Sequence, residues 1–352
     1  MEPLAIPGVY SWSRWQADRQ LYFNSHFFVR SAGNVAVDPL PLDEADEARL
    51  RELGGVALIV LTNRDHARDA AAFKERFGSK IATSTAEATE MPFDIDVICK
   101  ASDQIFDGAY VVPLEDQKTS GEFALFFPNE RMILVGDAVI GSPRGSLSLL
   151  PDQKYGDVRK AALGLRRLLA FQPEILLVGD GASIFSGATK LLAELLRQEG
   201  GIDAYRINVD ELTFESYRGP GDYHCLEAEV GYCIGAQKLG YCVVTLPPGA
   251  KVCPLHNHAQ SEELFFVLEG RPTIRALDGT VQCRKGDFIA FPTGPSGTHQ
   301  LLNESDADAT VLLLGTEGPD EVCFYPDSNK VLIDPGRLIL RASPALDYYD
   351  GE

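Results

Sequence analysis

The amino-acid sequence predicts a layered α/β domain followed by a smaller all-β domain. Three observations lead there. Over the first 200 residues, apolar strand-like runs are followed by helical stretches, with charged residues at the strand ends. After residue 204, short runs rich in β-branched and aromatic residues are separated by closely spaced turns, as in a sandwich or small barrel. Between them, Gly200-Gly201-Ile202-Asp203 reads as a linker, and 352 residues suit two domains, 1–200 and 204–352.

In chain order, residues 9–40 read as strands, with a Ser-Ala-Gly turn between Leu21–Val29 and Asn34–Pro39. A helix follows, capped by Asp43, given an apolar side by Leu50 and Leu53, and ended by Gly54-Gly55. Val56–Thr62 reads as a buried strand, running through Asn63-Arg64-Asp65-His66 into a helix that stops at Gly78. Ile81–Thr83 is a short strand. Further strands are expected at Tyr110–Pro113, Phe123–Phe127 and Met132–Val135, the last ending in Gly136-Asp137. One long amphipathic helix, Val158 to Phe171, leads to the strand Ile175–Val178 and to Gly179-Asp180-Gly181. A final helix covers about Ala188 to Gln198.

The second domain carries the clearest chemical signal. His256 and His258 are two apart, so on a strand both imidazoles face the same side and can reach one point. A turn at Ala259–Ser261 brings in Glu263 on the strand that follows, with Glu262 as the alternative carboxylate. Phe265 and Val267 share the face of Glu263 if that strand is regular. Asp278-Gly279 marks a hairpin after the strand Pro272–Leu277, and Phe288–Phe291 is a short apolar strand before Pro292. His299 begins another. Imidazole nitrogen and carboxylate oxygen are common ligands of divalent first-row metals. His256, His258, Glu263 and His299 are therefore candidate ligands.

This stretch resembles the two-part signature of the cupin superfamily. Four residues separate His258 from Glu263 and six separate Glu263 from Gly270; Gly286, Pro292, Gly294, His299 and Asn303 take the places of the second part. Two gaps are longer than the usual pattern, Gly249 to His256 and Gly294 to His299, and both fall in turns. The Glu263 choice rests on the spacing to Gly270. The resemblance implies a double-stranded β-helix, or cupin jelly roll, holding one divalent metal ion: manganese, iron, nickel, copper or zinc. It also implies edge-to-edge pairing into a homodimer. Proteins with this ligand set include dioxygenases, decarboxylases, isomerases and non-catalytic binding modules.

The first domain resembles the metallo-β-lactamase fold, an αββα sandwich. The likeness lies in Val37-Asp38-Pro39, in Leu61-Thr62 before Asp65-His66, in Val135-Gly136-Asp137 and in Val178-Gly179-Asp180-Gly181. Its metal motif departs from the family's. The two leading histidines of His-x-His-x-Asp-His are absent, and Asn63 stands two before Asp65. The histidine of the Pro-Gly-His-Thr-like turn has no counterpart in Pro113–Thr119, and the last histidine is Asp180. A remnant of Asp65, His66, Asp137 and Asp180 is left. The hydrolytic mechanism needs a zinc-bound water held by several neutral imidazoles. One histidine with two or three carboxylates could hold a harder cation weakly; the other readings are a structural or regulatory remnant. His26 and His224 read as structural and loop residues, and Arg64 and Arg68 as neutralising Asp65.

Composition narrows the partners. Acidic residues outnumber basic ones by 51 to 32, a formal charge of -19, which argues against nucleic acid or an anionic membrane. No apolar run is long enough to span a bilayer. Seven scattered cysteines without a Cys-x-x-Cys pair, and no signal-peptide pattern at the N-terminus, fit reduced thiols in the cytoplasm. Cys253, close to His256, reads as a small apolar residue. The expectation is a metal-binding cupin protein with a small-molecule ligand, an organic acid. It is either an enzyme of oxygenase, isomerase or lyase type or a sensor without turnover, with hydrolysis by the first domain as the rival.

Overall fold

The computed structural model describes residues 1–318, 320–334 and 338–342, so the last ten residues of the expected 204–352 domain lie outside the described residues. The chain divides into two compact units, Met1–Arg206 and Ile207–Glu352. The division falls after the stretch read as a linker. Gly201–Tyr205 forms a 3-10 turn held to the first unit, where Arg159 donates to the Gly200 carbonyl and pairs with Asp203 at 2.7 Å.

In the first unit two sheets lie face to face between helices. The seven-stranded sheet runs in chain order from Glu2–Pro3 to Val97–Cys99, antiparallel up to Val35–Val37 and parallel through Leu58–Val60, Lys80–Ser84 and Val97–Cys99. The five-stranded sheet is ordered Ile175–Val178, Met132–Val135, Phe123–Phe127, Ala109–Pro113 and Gln104–Phe106. The central strands Val35–Val37, Leu58–Val60, Phe123–Phe127 and Met132–Val135 read as unbroken apolar runs because both faces are covered. Period-two alternation sorts the side chains. Phe28, Val35, Val37 and Val60 turn inward against Phe123, Leu125, Phe127 and Leu134, while Phe27, Ala36 and Ile59 turn outward. The outward set packs on the helices Glu44–Glu52 and Ala70–Phe77 through Leu50 and Phe73. On the far sheet, Ile133 and Leu176 pack on Arg166–Ala170 and Ala188–Gly200 through Leu168, Leu192 and Leu195. The result is the expected αββα sandwich.

Local signals act as the sequence suggests at several boundaries. Asp43 Oδ1 accepts from the Asp46 amide and caps its helix, and Gly78 closes the second helix at φ 69°. The single helix expected over 158–171 is instead two, broken at Leu165. Gly164 passes against the Glu115 carbonyl, so close that a Cβ there would lie 2.1 Å from the oxygen, and the helix ends where that approach is made.

The second unit is an antiparallel jelly roll. Its six-stranded sheet orders Glu215–Arg218, His224–Glu229, Leu239–Leu246, Ala309–Thr316, Glu263–Glu269 and Phe288–Phe291. His224 therefore lies in a strand, not a loop, paired to Arg218. A three-stranded sheet of Gly279–Gln282, Thr273–Ala276 and Gln300–Leu302 supplies Ile274 and Leu301 to a shared core with Val244, Leu246, Phe265, Val267 and Val311. Its hairpin turns on Leu277-Asp278, since Ala276 already pairs with Gly279. Gly270 ends the strand of Glu263 at φ 81°, where a Cβ would meet the Asp308 carbonyl at 2.4 Å.

Phe28 is fully buried between the two sheets, stacked on Phe127 with ring centroids 5.0 Å apart. Phe28→Ala is expected to lower the unfolding free energy by about 3–5 kcal/mol, read from the denaturant midpoint of the full chain. A loss under about 1 kcal/mol would mean the two sheets do not share this core.

Candidate metal centre

Four elements of the jelly roll bring the candidate ligands together. His256 and His299 face each other in an antiparallel bridge, with backbone hydrogen bonds of 3.0 and 2.9 Å. His258 lies on Asn257–His258, paired to Val322–Tyr325 by the His258–Cys323 register. Glu263 opens Glu263–Glu269, between Phe291 and Gly315. Ligand atoms of His256, His258 and Glu263 lie within 4.8 Å of one another. His299 joins through Glu263, its Nε2 being 3.0 Å from Oε2, and His258 Nε2 is 3.4 Å from the same oxygen. Glu262 has no part in this cluster; its amide donates to Thr316.

The orientation of these rings is fixed from behind. His256 Nδ1 is 3.0 Å from the Pro254 carbonyl and His299 Nδ1 is 2.8 Å from the Gly297 carbonyl. A carbonyl can only accept, so Nδ1 carries the proton in both rings and Nε2 presents a lone pair. Nε2 of His258, Nε2 of His299 and Oε2 of Glu263 are buried and have no hydrogen-bond partner. Both nitrogens face Glu263 Oε2, at 3.4 and 3.0 Å. Buried polar atoms are normally satisfied. The donor set and its orphaned atoms fit a divalent cation.

The electrostatics favour ligation at His256 and Glu263, whereas His258 would have to give up a proton to a cation. Burial and the neighbouring His299 and His258 rings lower His256 to about 4, which leaves it neutral and able to ligate. Burial alone would raise Glu263, yet His258 and His299 hold it well below the usual carboxylate range. Burial opposes charge on His258, but Cys323 and Glu263 outweigh it and raise the ring to about 10. Phe291 stacks on His299 at 3.8 Å between ring centroids, and Phe265 meets the same ring edge-on at 5.2 Å. Phe265 and Val267 are both buried in the core, on the side of Glu263. Tyr325 stacks on His256 at 5.9 Å.

A second cluster lies in the first unit, where Asp38, Thr62, Asn63, His66, Asp137 and Asp180 follow the ends of four strands from both sheets. Asp38 adopts φ 51°, and its carboxylate accepts from Thr62 N at 2.9 Å, Thr62 Oγ1 at 2.6 Å and His66 Nδ1 at 2.7 Å. His66 Nε2 is 3.2 Å from Asp137 Oδ1. Lys118 donates to Asp137 Oδ2 at 2.7 Å and pairs with Asp65. Arg68 pairs with Asp180 at 3.2 Å, and Arg64 with Glu87 at 3.0 Å. Neither arginine neutralises Asp65, contrary to the sequence reading; Lys118 does. His66, Asp137 and Asp180 form a compact group, whereas Asp65 stands on the wall of a cavity of about 350 Å³ that they line.

Residues 1–198 match the family described as the metallo-beta-lactamase superfamily. The chain belongs to the metallo-beta-lactamase superfamily. Residues 242–315 match the cupin domain, so a cupin follows the metallo-beta-lactamase-like region. An uncharacterized protein of Methanocaldococcus jannaschii is 31% identical over 90 residues, which are 26% of this chain. The chain spans 61% of the length of that relative. Among solved structures, a cupin-superfamily sugar phosphate isomerase from Silicibacter pomeroyi is 27% identical, covering 41% of this chain and 98% of its own, at a TM-score of 0.37. A metallo-beta-lactamase from Pontibacter korlensis is 16% identical, covering 56% of this chain and 98% of its own, at a TM-score of 0.47.

Within the metallo-beta-lactamase-like region, sequence reasoning passed over Lys118 and Glu122. Glu122 is fully buried; its Oε1 accepts from the amides of Asp137 and Ala138, each at 2.8 Å, while Oε2 has no partner. Burial, with Asp137 nearby, raises it to about 8, so it carries a proton at neutral pH. His26, by contrast, behaves as the structural residue expected, with Nε2 3.2 Å from the Val178 carbonyl. In the cupin, Cys323, Glu321, Phe291 and Tyr325 escaped notice. Cys253 lies 3.6 Å from His256 Nδ1 and burial pushes its thiol up to about 12, which keeps it protonated.

Burial and Arg68 pull the His66 proton affinity down, but Asp38 and Asp137 outweigh them and raise it from 6.5 to about 9. Arg68 Nη2 is 3.0 Å from His66 Nε2, a contact that as a hydrogen bond would need the neutral ring. Two flanking carboxylates against one guanidinium favour the imidazolium. A raised folded value means the stabilisation is complete below pH 6.5 and is lost as pH rises through about 9. Across that window the chain should lose up to about 3 kcal/mol relative to His66→Asn, measured by denaturant unfolding at a series of pH values. A flat difference would mean a neutral His66 accepting from Arg68.

Proposed function

We propose that the cupin domain is a centre for one divalent cation, held by His256, His258, Glu263 and His299, and that it acts on a small organic acid. The convergence of buried His258 Nε2, His299 Nε2 and Glu263 Oε2 without hydrogen-bond partners carries this reading. Leaving such atoms unsatisfied costs about 1–3 kcal/mol each, which a shared cation would remove. Imidazole suits iron, nickel, copper and zinc and carboxylate suits manganese, so the mixed set does not choose among them. When bound, such a cation supplies a Lewis acid or an oxygen-activating centre.

The chain's own residues set the terms of binding. The carbonyls of Pro254 and Gly297 hold two rings with Nε2 exposed to the site. Glu263 is the one carboxylate of the set, so a divalent cation would keep net positive charge and favour an anionic chelating ligand. Phe265 and Phe291 close the space around His299 with apolar surface. Reactions of oxygenase, isomerase or lyase type suit this arrangement; binding without turnover, as in a sensor, is the alternative. Hydrolysis by the first domain is less well supported, because Lys118 and Arg68 are already bonded to the carboxylates that zinc would need. In this reading the dinuclear zinc site of that domain has been lost.

The test is metal content of the full chain by mass spectrometry after expression with ample divalent ions. About one equivalent is expected, falling at least tenfold in His256→Ala/His258→Ala. Wild-type protein without metal, or a variant that keeps it, would refute the assignment.

A further inference from the structure

Two cations reach the buried carboxylates of the N-terminal cavity from separate parts of the chain. Lys118 comes from the segment between Ala109–Pro113 and Phe123–Phe127, with Nζ 2.7 Å from Asp137 Oδ2 and paired also to Asp65. Arg68 follows the 3-10 turn Arg64–His66 with φ 36°, an uncommon conformation for a long side chain. Its guanidinium sits 3.2 Å from Asp180 Oδ1 and 3.0 Å from His66 Nε2, and also donates to the carbonyls of Asn24 and Asp38.

His66, Asp137 and Asp180 offer ligand-type atoms within 4.8 Å of one another. Taken alone, that grouping fits a metal. Yet Asp137 and Asp180 each hold a side-chain cation, and the imidazole lies between the guanidinium and Asp137. Both cations are anchored, Lys118 by two carboxylates and Arg68 by two carbonyls besides Asp180. A divalent ion would have to share the same oxygens with them at contact distance. The residues therefore do not fit the metal that the superfamily implies.

We infer that the Lys118 ammonium and the Arg68 guanidinium take the place of metal ions in this domain, making its cavity a metal-free centre. This deepens the proposed loss of zinc by naming what replaced it. Lys118 lies in the Pro113–Thr119 turn, where the superfamily's histidine has no counterpart. The ammonium and guanidinium neutralise the strand-end carboxylates and hold the cavity wall in shape.

The test uses the full chain carrying His256→Ala/His258→Ala, so that the cupin cannot contribute metal. Zinc is titrated by equilibrium dialysis, with circular dichroism to follow folding. That chain is expected to bind less than about 0.1 equivalent, and addition of Lys118→Ala/Arg68→Ala should raise this to about one. If the quadruple variant is unfolded, Lys118→His in the same background should gain zinc and a zinc-dependent rise in melting temperature. Zinc bound before Lys118 or Arg68 is changed, and lost on Asp137→Asn, would overturn the inference. So would folded variants that gain no zinc. The outcome is independent of whether the cupin holds metal in the unaltered chain.

Discussion

A carboxylate taken out of water must be met by positive charge or by several donors, and that constraint shapes both halves of this chain. Glu263 in the jelly roll and Asp137 in the sandwich are each buried and each held well below the usual carboxylate range by their neighbours. Around Asp137 the answer is built into the polypeptide. Lys118 and His66 lie against its two oxygens, and Arg68 serves Asp180 next to it. Around Glu263, among the described residues, stand the imidazoles of His258 and His299, whose Nε2 atoms have no hydrogen-bond partner. The sandwich closes its electrostatic balance internally, whereas the barrel leaves atoms that call for an ion.

The folds supply those arrangements by different means. In the sandwich, parallel strands end together, so Asp38, Thr62 and His66 gather at one edge and Asp137 and Asp180 at the adjoining edge of the other sheet. The buried leucines, valines and phenylalanines of both faces fix that edge, since a one-residue slip would turn each strand over. In the jelly roll, the candidate ligands come from a bridge, a two-residue strand and the start of a longer one. There the hydrogen bonds behind His256 and His299 do the aiming. Asn303 steadies the same region by donating to the carbonyls of Leu246 and Ala307, both at 2.8 Å.

Much of this was legible in the sequence, for a physical reason in each case. Strands covered on both faces must be apolar throughout, which made Val56–Thr62 and Met132–Val135 visible. His256, His258 and Glu263 lie within eight residues, so local spacing was enough to draw attention to them. What stayed hidden depends on distant chain segments. Lys118 meets Asp65 across 53 positions, and Cys323 reaches His258 across 65. Arg64 and Arg68 are neighbours of Asp65 in sequence, yet the 3-10 turn swings them toward Glu87 and Asp180. The break at Leu165 was equally invisible, because it follows from the Glu115 carbonyl packing on Gly164.

X-ray absorption at the zinc edge of the zinc-loaded full chain tests the central claim most directly. Three imidazole nitrogens and a carboxylate oxygen at about 2.0–2.2 Å are predicted, with no sulfur among the nearest neighbours. A sulfur at about 2.3 Å would contradict the account and point to Cys323 with His258 and Glu321, which form a competing cluster. A spectrum with a single imidazole among oxygens would contradict it too, placing the metal at His66, Asp137 and Asp180.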